Sequence, residues 1–361
     1  MVVSAGVERL AFADSYGLFH QGRQDLVALN ATADHIWQAI AAGRDTGEVA
    51  AELAAQDPAA APFVADAVEQ WLAGGWMLPA DVAVALEGEP HACLELCILD
   101  IGFSIETYGA APPAGVLEIF QPLAGAAAVR HRLQVAEWRG RYVLVIDGFC
   151  RGLFAPDAIA PSLKGGLTNR LTASVADGFL AHGALVAGPR RLFLSGAPGA
   201  GKSTLALALG QAGFQCLSDD IIHVDPRGHM RGAPFPPGLK TGAWPLLASV
   251  IDGLDAVPIH RRADGQFVRF LPSQVSRGDA GALDAFVVLD RRAEGPAEIL
   301  PLSGLEAVHV LLASAFAAAG RISAEQVRGL AAAFAAARCL TLRYSDLPGA
   351  VRALRALVPD E

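Results

Sequence analysis

The sequence predicts an α/β protein in which a small winged-helix-like α+β unit precedes a larger α/β domain. In the middle of the chain, the strand-like stretch Arg191–Leu194 runs through a glycine-rich loop into a helical pattern over Lys202–Gly210. Near the N-terminus, short alternating runs are followed by three helical patterns. We place the domains at 1–80 and 91–361. The second divides into a mixed α/β lead-in (91–185), the loop core (186–232) and a C-terminal part with helices (233–361).

The composition excludes several classes of protein. The formal net charge of −9 over 361 residues argues against broad nucleic-acid binding, which needs clustered Lys and Arg. No uncharged run reaches the roughly 20 apolar residues that cross a bilayer, and the N-terminus does not resemble a secretion signal. The five cysteines are scattered without a C-x-x-C pair, so we expect reduced structural thiols. A cytoplasmic protein without a membrane partner is expected.

The elements of the N-terminal unit follow from its periodicity. The stretch ERLAFADSYGLFHQGRQDLVALN predicts a β-hairpin or meander, and Trp76–Leu78 a closing strand. Asn30 and Asp45 are the expected N-caps of the first two helices, with Glu48 three residues after Asp45 as in a capping box. Apolar residues recur at helical spacing in the first and third helices, namely Ala33, Ile36, Trp37 and Ile40, then Val64, Val68, Trp71 and Leu72, with a stop at Gly74-Gly75.

Residues 1–80 carry ten acidic and three basic side chains, so DNA is a poor partner for this unit. Its order of elements resembles the PqqD-like family, the recognition elements that bind leader peptides of ribosomally made natural products. The resemblance implies that a leader adds as an extra strand along residues 25–29, near Leu26–Ala28. It also implies a contact with the third helix over residues 62–73, on the face from Val64 to Trp71. A packing or dimerisation domain is the alternative.

The rest of the chain predicts ordinary secondary structure. Strands are expected at HRLQVAEW and at Tyr142–Gly148, a helix at Leu163–His182, and a loop at Tyr108–Gly115. The segment APFPPGLKTGAW predicts a hairpin. Two alanine-rich helices are predicted at Gly304–Ala319 and Ser323–Ala337.

The central loop matches the phosphate-binding pattern Gly196-x-x-x-x-Gly201-Lys202-Ser203 between a strand and a helix. Glycines let successive backbone N–H groups turn towards a phosphate. Lys202 is placed to reach the β- and γ-phosphates, and the Ser203 hydroxyl to bind Mg²⁺. The candidate ATP-binding residues are Gly196, Ala197, Gly199, Ala200, Gly201, Lys202, Ser203 and Thr204. The alternative is a glycine-rich turn without a ligand.

Two adjacent carboxylates, Asp219 and Asp220, follow the next predicted strand, Phe214–Leu217, and Asp219 lies seventeen residues after Lys202. The carboxyl end of a strand is where α/β sheets place their ligands. One carboxylate can hold Mg²⁺ while the other accepts a proton from an attacking hydroxyl. Alternatively, these residues only connect a strand to a second strand and the turn Asp225–Gly228.

The short interval from lysine to aspartates resembles HPr kinase/phosphorylase and its relatives, in which GKS, one helix and a strand ending in DD form one site. The pair His182-Gly183, expected on a strand leading to the loop and twenty residues before Lys202, supports the resemblance. The segment PFPPGLKTGAW with Lys240 and the tail YSDLPGAVRALRAL resemble the related lasso peptide kinases.

That resemblance implies Asp219 as catalytic base, Asp220 and Ser203 on Mg²⁺, Lys202 on the phosphates and His182 beside the transferring phosphoryl group. The chain departs from the bifunctional enzyme because only Arg231–Ala233 stands where a glycine- and arginine-rich segment follows the aspartates. Phosphorolysis, and HPr as substrate, are therefore unsupported.

Together the two resemblances imply an ATP-dependent kinase that phosphorylates a hydroxyl, serine above all, on a precursor peptide held by the N-terminal unit. A homo-oligomer is compatible with the family. Two alternatives stay open at this point: a kinase of a small-molecule alcohol, and a nucleotide-gated binding protein that transfers no phosphoryl group.

Overall fold

The computed structural model describes residues 1–109, 115–317 and 320–357, and shows a mixed α/β protein with several sheets. The strands are β1 Val2–Val3, β2 Val7–Ala11, β3 Tyr16–His20, β4 Asp25–Leu29, β5 Met77–Leu78, β6 Ala92–Ile98, β7 Ile101–Tyr108, β8 Val129–Trp138, β9 Arg141–Ile146, β10 Phe149–Phe154, β11 Phe179–His182, β12 Ala184–Ala187, β13 Leu192–Ser195, β14 Gln215–Ser218, β15 Ile221–Val224, β16 Met230–Gly232, β17 Gly238–Lys240, β18 His260–Arg261, β19 Phe267–Phe270, β20 Ala285–Arg291, β21 Glu298–Pro301, β22 Ala315–Phe316 and β23 Arg338–Tyr344. The helices are α1 Ala31–Ala41, α2 Thr46–Gln56, α3 Ala61–Ala73, α4 Ala80–Leu86, α5 Val116–Phe120, α6 Ile159–Ser174, α7 Lys202–Gln211, α8 Trp244–Leu247, α9 Gly304–Ala313, α10 Ala324–Ala336 and α11 Leu347–Arg355.

The chain divides into two compact units. Unit 1 comprises Met1–Glu95, Phe103–Leu117 and Ala128–Ile159, and unit 2 comprises Leu96–Gly102, Glu118–Ala127 and Ala160–Glu361. The boundaries of these two units differ from those of the predicted domains, 1–80 and 91–361. The reason is that most of the sheet formed by β6–β10 shares a hydrophobic core with the first 80 residues.

In unit 1 the predicted meander and three helices are confirmed. Strands β2, β3 and β4 form an antiparallel sheet in that order, which leaves β4 at an edge. The Asn30 side chain accepts a hydrogen bond from the N–H of Ala33 at 2.8 Å, and Asp45 caps α2. The predicted closing strand is β5, which pairs with β1.

The apolar stripe of the third helix, within the range 62–73 expected to contact a leader, lies in the core. The stripe of α3 consists of Val64, Val68, Trp71 and Leu72, and all four side chains are buried in the core of unit 1. An amphipathic helix buries its apolar face wherever apolar surface is nearest, and here the core supplies it. The large apolar side chain that α3 does expose is Phe63, at 54%.

A close backbone contact joins the helical part of unit 1 to the sheet β10-β9-β8-β7-β6. A Cβ on Gly75 would lie 2.7 Å from the carbonyl oxygen of Cys150, and one on Gly152 would lie 2.2 Å from that of Ala73. Both glycines have positive φ, at 73° and 130°. Larger residues would force these two backbones apart.

Unit 2 is built around a six-stranded sheet of order β14-β12-β13-β20-β23-β21, whose strands β13, β20 and β23 run parallel. Helix α7 buries Leu205 and Leu209 in the core of this sheet. A second sheet has the order β16-β15-β11-β22, and a third the order β17-β19-β18. The described part of the chain has no helix long and apolar enough to cross a bilayer.

One helix predicted in unit 2 was wrong in part, and one predicted hairpin was wrong. The helix predicted over Leu163–His182 is α6, which ends at Ser174, and Phe179–His182 is strand β11. Gly178 turns the chain between them, with φ of 79° and no room for a Cβ, which would lie 2.1 Å from the carbonyl oxygen of Val224. The segment APFPPGLKTGAW is not a hairpin, because β17 pairs instead with the distant β19.

The first alanine-rich helix, α9, ends at Ala313 because Ala315–Phe316 pairs with β11. The second is confirmed as α10, capped by Ser323. Residues 318 and 319 of the first predicted helix, and residues 110–114 of the predicted loop Tyr108–Gly115, lie outside the described residues.

Candidate functional site

The glycine-rich loop connects β13 to α7, and the neighbouring strands β20 and β23 fix its shape. Gly196 has a φ of 143°, and a Cβ there would lie 3.0 Å from the carbonyl oxygen of Leu289. Gly201 has a φ of 94°, and a Cβ there would lie 2.5 Å from the Tyr344 hydroxyl, which donates to the carbonyl oxygen of Ala200 at 2.6 Å. Only glycine fits these two positions.

Lys202, the first residue of α7, folds back over the loop. Its Nζ donates to the carbonyl oxygens of Gly196 at 2.8 Å and Ala197 at 3.2 Å. Burial lowers the pKa of Lys202, the negative charge of Asp220 opposes this, and the positive charge of Lys240 adds to it. Lys240, at the end of β17, thus acts electrostatically on the loop lysine. Ser203 and Thr204 follow in the first turn of α7.

A cavity of about 610 Å³ lies beside the loop. It is lined by residues 197–200, by residues 289–293 at the end of β20, and by Ser345 after β23. This volume is within the roughly 300–1,000 Å³ of typical small-molecule pockets.

Ser218 organises the turn that carries both aspartates. Its Oγ accepts from the backbone N–H groups of Asp220 at 3.3 Å and Ile221 at 3.2 Å, and donates to the Ile221 carbonyl oxygen at 2.9 Å. The turn therefore has a fixed conformation at the end of β14. The Ser203 hydroxyl lies 3.4 Å from the carbonyl oxygen of Asp219, which brings the loop helix and the aspartates together.

Asp219 is buried, with 6% of its surface exposed. Its Oδ1 has no hydrogen-bond partner among the described residues. Burial raises the pKa of Asp219; the charge of Lys164 opposes the rise and that of Asp220 adds to it. A carboxyl with a raised pKa accepts a proton more readily than an ordinary aspartate does, which is the property of a general base.

Asp220 has the opposite character. Its Oδ1 lies 3.0 Å from His182 Nδ1, and its Oδ2 lies 3.3 Å from Lys164 Nζ. Burial alone would raise the pKa of Asp220, but the charges of Lys164 and His182 outweigh burial and hold that pKa below its usual range. In return, the hydrogen bond with Asp220 raises the pKa of His182. Two neighbouring carboxyls whose pKa values are pushed apart can take two different roles.

The predicted residues Lys202, Ser203, Asp219, Asp220 and His182 are thus brought together, but Lys164 was missed. It lies on α6, 38 residues before Lys202 and outside any local motif. One sequence signal could have found it: the chain contains 25 arginines and only three lysines. The three are Lys164, Lys202 and Lys240, and all of them act on this site.

No group of three or more His, Cys, Asp or Glu side chains within residues 1–109, 115–317 and 320–357 is arranged to hold a metal ion by itself. The chain matches no protein-family model and no curated protein sequence. Its function is therefore inferred from the residues of the site.

Proposed function

We propose that the chain is an ATP-dependent kinase of the HPr kinase type that phosphorylates a serine hydroxyl on a ribosomally made precursor peptide. One observation carries the proposal. A glycine-rich loop ending in Lys202 at a helix N-terminus meets the buried Asp219 and the partly exposed Asp220, whose pKa values shift in opposite directions. Nucleotide binding alone needs the loop, whereas proton abstraction from an acceptor needs a base such as Asp219.

The loop and the N-terminus of α7 would hold the phosphates through backbone N–H groups and the helix dipole. Lys202 would exchange the carbonyl oxygens of Gly196 and Ala197 for phosphate oxygens, since those contacts already place its ammonium group over the loop. The cavity of about 610 Å³ beside the loop has room for the nucleoside.

The donor set fits Mg²⁺. Magnesium prefers hard oxygen ligands and is held by one or two carboxylates together with substrate phosphates. The Ser203 hydroxyl and the Asp220 carboxylate supply such ligands, and the low pKa of Asp220 keeps it anionic. When bound, Mg²⁺ would stabilise negative charge on the phosphate oxygens.

Asp219 would act as the base. Its unpartnered Oδ1 is free to accept the proton of the acceptor hydroxyl. As the hydroxyl oxygen forms its bond to the γ-phosphorus, the bond from that phosphorus to the bridging oxygen breaks and ADP leaves. Positive charges at Lys202 and His182 would stabilise the charge of the transferring group.

The N-terminal part of unit 1 would hold the leader peptide. Strand β4 is at an edge of the meander, so an extended peptide could pair with it by β-augmentation. Leu26 on β4 is 54% exposed and offers an apolar contact at this edge. Because the α3 stripe is buried, we restrict the proposed leader contact to β4 and the exposed Phe63.

The first test is mass spectrometry of the short peptide encoded nearest this gene, after incubation with the protein, ATP and Mg²⁺. A gain of one phosphate, absent with Lys202→Ala, is the expected result, and fragmentation locates the modified residue. No modification despite measurable ATP binding would overturn the peptide-kinase proposal and favour a small acceptor or a binding protein.

Leader binding is tested by Leu26→Asp, which puts a charge at the β4 edge. We expect about tenfold slower phosphorylation of the full precursor, as for loss of one anchor contact, and an unchanged rate with a core peptide lacking the leader. Leu305→Asp is the matched control, because Leu305 is 80% exposed on α9. Equal rates on the full precursor for both variants would remove the leader role of β4. Deleting residues 1–80 is a poorer test because it would expose the shared core.

A further inference from the structure

Lys164 on α6 makes direct contact with Asp220 of the proposed site, although α6 is not part of any sequence motif of that site. Its side chain is 14% exposed, and its Nζ lies 3.3 Å from Asp220 Oδ2. The same Nζ donates to the carbonyl oxygen of Pro236 at 3.4 Å. The rings of Phe235 and Phe270 lie 5.7 and 5.9 Å from it. The ammonium group is thus held by a carboxylate, a carbonyl and two aromatic rings in a largely buried place.

We propose that Lys164 is a positioning residue that fixes the Asp220 carboxylate for phosphoryl transfer. The inference rests on the proposed function, in which Asp220 serves the metal. His182 contacts Oδ1 of Asp220 and Lys164 contacts Oδ2, so the carboxylate is held from both sides. Without Lys164, Oδ2 of Asp220 loses its partner. The contact of His182 with Oδ1 alone does not fix the orientation of the carboxylate, so the carboxylate can rotate.

The choice of lysine supports a specific role. Carboxylates elsewhere pair with arginine, as in Arg9–Asp34 and Arg231–Asp100, or with histidine, as in His229–Asp225. Arginine is a wide planar fork, whereas lysine ends in a compact ammonium group that contacts one oxygen without spanning both. A lysine at position 164 therefore leaves Oδ1 of Asp220 to His182. Because the chain has only three lysines, a lysine in the pair with Asp220 is unusual for this protein.

The test is a double-mutant cycle with Lys164→Met and Asp220→Asn, using wild-type protein, ATP, Mg²⁺ and the precursor peptide. Methionine keeps the length and apolar stem of lysine and removes the charge. We expect Lys164→Met to lower kcat by about 10- to 100-fold, as for residues that orient a metal ligand, with the KM for ATP nearly unchanged. Added to Asp220→Asn, it should lower kcat by less than about threefold, because the two residues act as one.

The matched control is Arg269→Met, which removes another largely buried cation of unit 2 from its partner Asp255. Arg269→Met should reduce thermal stability and leave kcat unchanged. If Lys164 were purely structural, Lys164→Met would have the same two effects. Full activity of Lys164→Met, or rate losses that multiply in the double variant, would overturn the positioning role.

A crystal structure of the Lys164→Met protein without nucleotide gives a readout that does not depend on activity. We expect the Asp220 carboxylate to leave its place beside His182 Nδ1. An unmoved carboxylate would overturn the inference even if the protein phosphorylated no peptide. A wild-type protein without transferase activity would instead refute the proposed function, so the two failures are distinguishable.

Discussion

Two buried aspartates, one in each unit, differ in how their carboxylate oxygens are partnered. Asp34 on α1 and Asp219 after β14 are 4% and 6% exposed. Both oxygens of Asp34 are paired, with Arg9 at 2.5 and 2.7 Å and with Gln38 at 2.8 Å, whereas Oδ1 of Asp219 has no partner among the described residues. The hydrogen bond from Arg9 lowers the pKa of Asp34, and burial raises that of Asp219. A satisfied carboxylate holds its unit together, and an unsatisfied one is available to a ligand.

The strongest way to sharpen this comparison is Asp219→Asn. Asparagine keeps the shape but cannot take the proton, so we expect transfer to slow by about 10²- to 10⁴-fold while ATP binding survives. Single-turnover kinetics and ATP titration measure the two effects. Asp225→Asn is the control, because Asp225 accepts backbone hydrogen bonds in a turn and pairs with His229 within that same turn. Full activity of the Asp219 variant would remove the base assignment.

The complementary change, Asp34→Asn, should act on stability and not on chemistry. It replaces a carboxylate that accepts three hydrogen bonds, and we expect Tm to fall by about 5 °C with kcat unchanged. Asp25→Asn is the control, because its ion pair with Arg23 is 43% exposed on the carboxylate side and should leave Tm nearly unchanged. A similar fall in Tm for both variants would contradict the contrast between paired and exposed carboxylates.

The smallest effect concerns pH. The pKa of Asp34 is lower in the folded protein than the usual value of about 3.9, so the unfolded chain binds more protons between these two pKa values. The stabilisation is therefore present above about pH 4 and is lost as the pH falls through the folded pKa. Urea unfolding of wild type and Asp34→Asn should give a difference in unfolding free energy that shrinks below about pH 4. A difference that stays constant down to acid pH would show that Asp34 does not cause it.

The sequence predicted those parts of the candidate site whose residues are close together along the chain. The loop 196–201, Lys202 and the aspartates lie within 25 residues, so spacing alone places them around one strand–helix–strand segment. Lys164 reaches Asp220 only through the packing of α6, which no local pattern encodes. His182 was predicted both on a strand leading to the loop and at the end of a helix. The strand is confirmed as β11, whereas the helix α6 ends at Ser174.

The fold of the N-terminal part was predicted element by element, since caps and helical stripes are local signals. What faces each stripe was not predicted. The pattern Val64, Val68, Trp71, Leu72 is the same whether the apolar face meets a peptide or a core. Only the tertiary structure shows that strands β8–β10 contribute Ala136, Val143, Val145, Cys150 and Leu153 to the core that covers it.

The close approach of Gly75 and Gly152 to opposing backbone has a consequence for engineering. Under the proposed function, redirecting this protein to a new peptide would mean exchanging residues 1–80 for the corresponding segment of another protein. Here such a chimaera would have to reproduce a junction with no space for a single extra methyl group, and would leave Val143 and Cys150 without their covering side chains. The N-terminal segment should therefore be exchanged together with strands β8–β10, with which it shares a core.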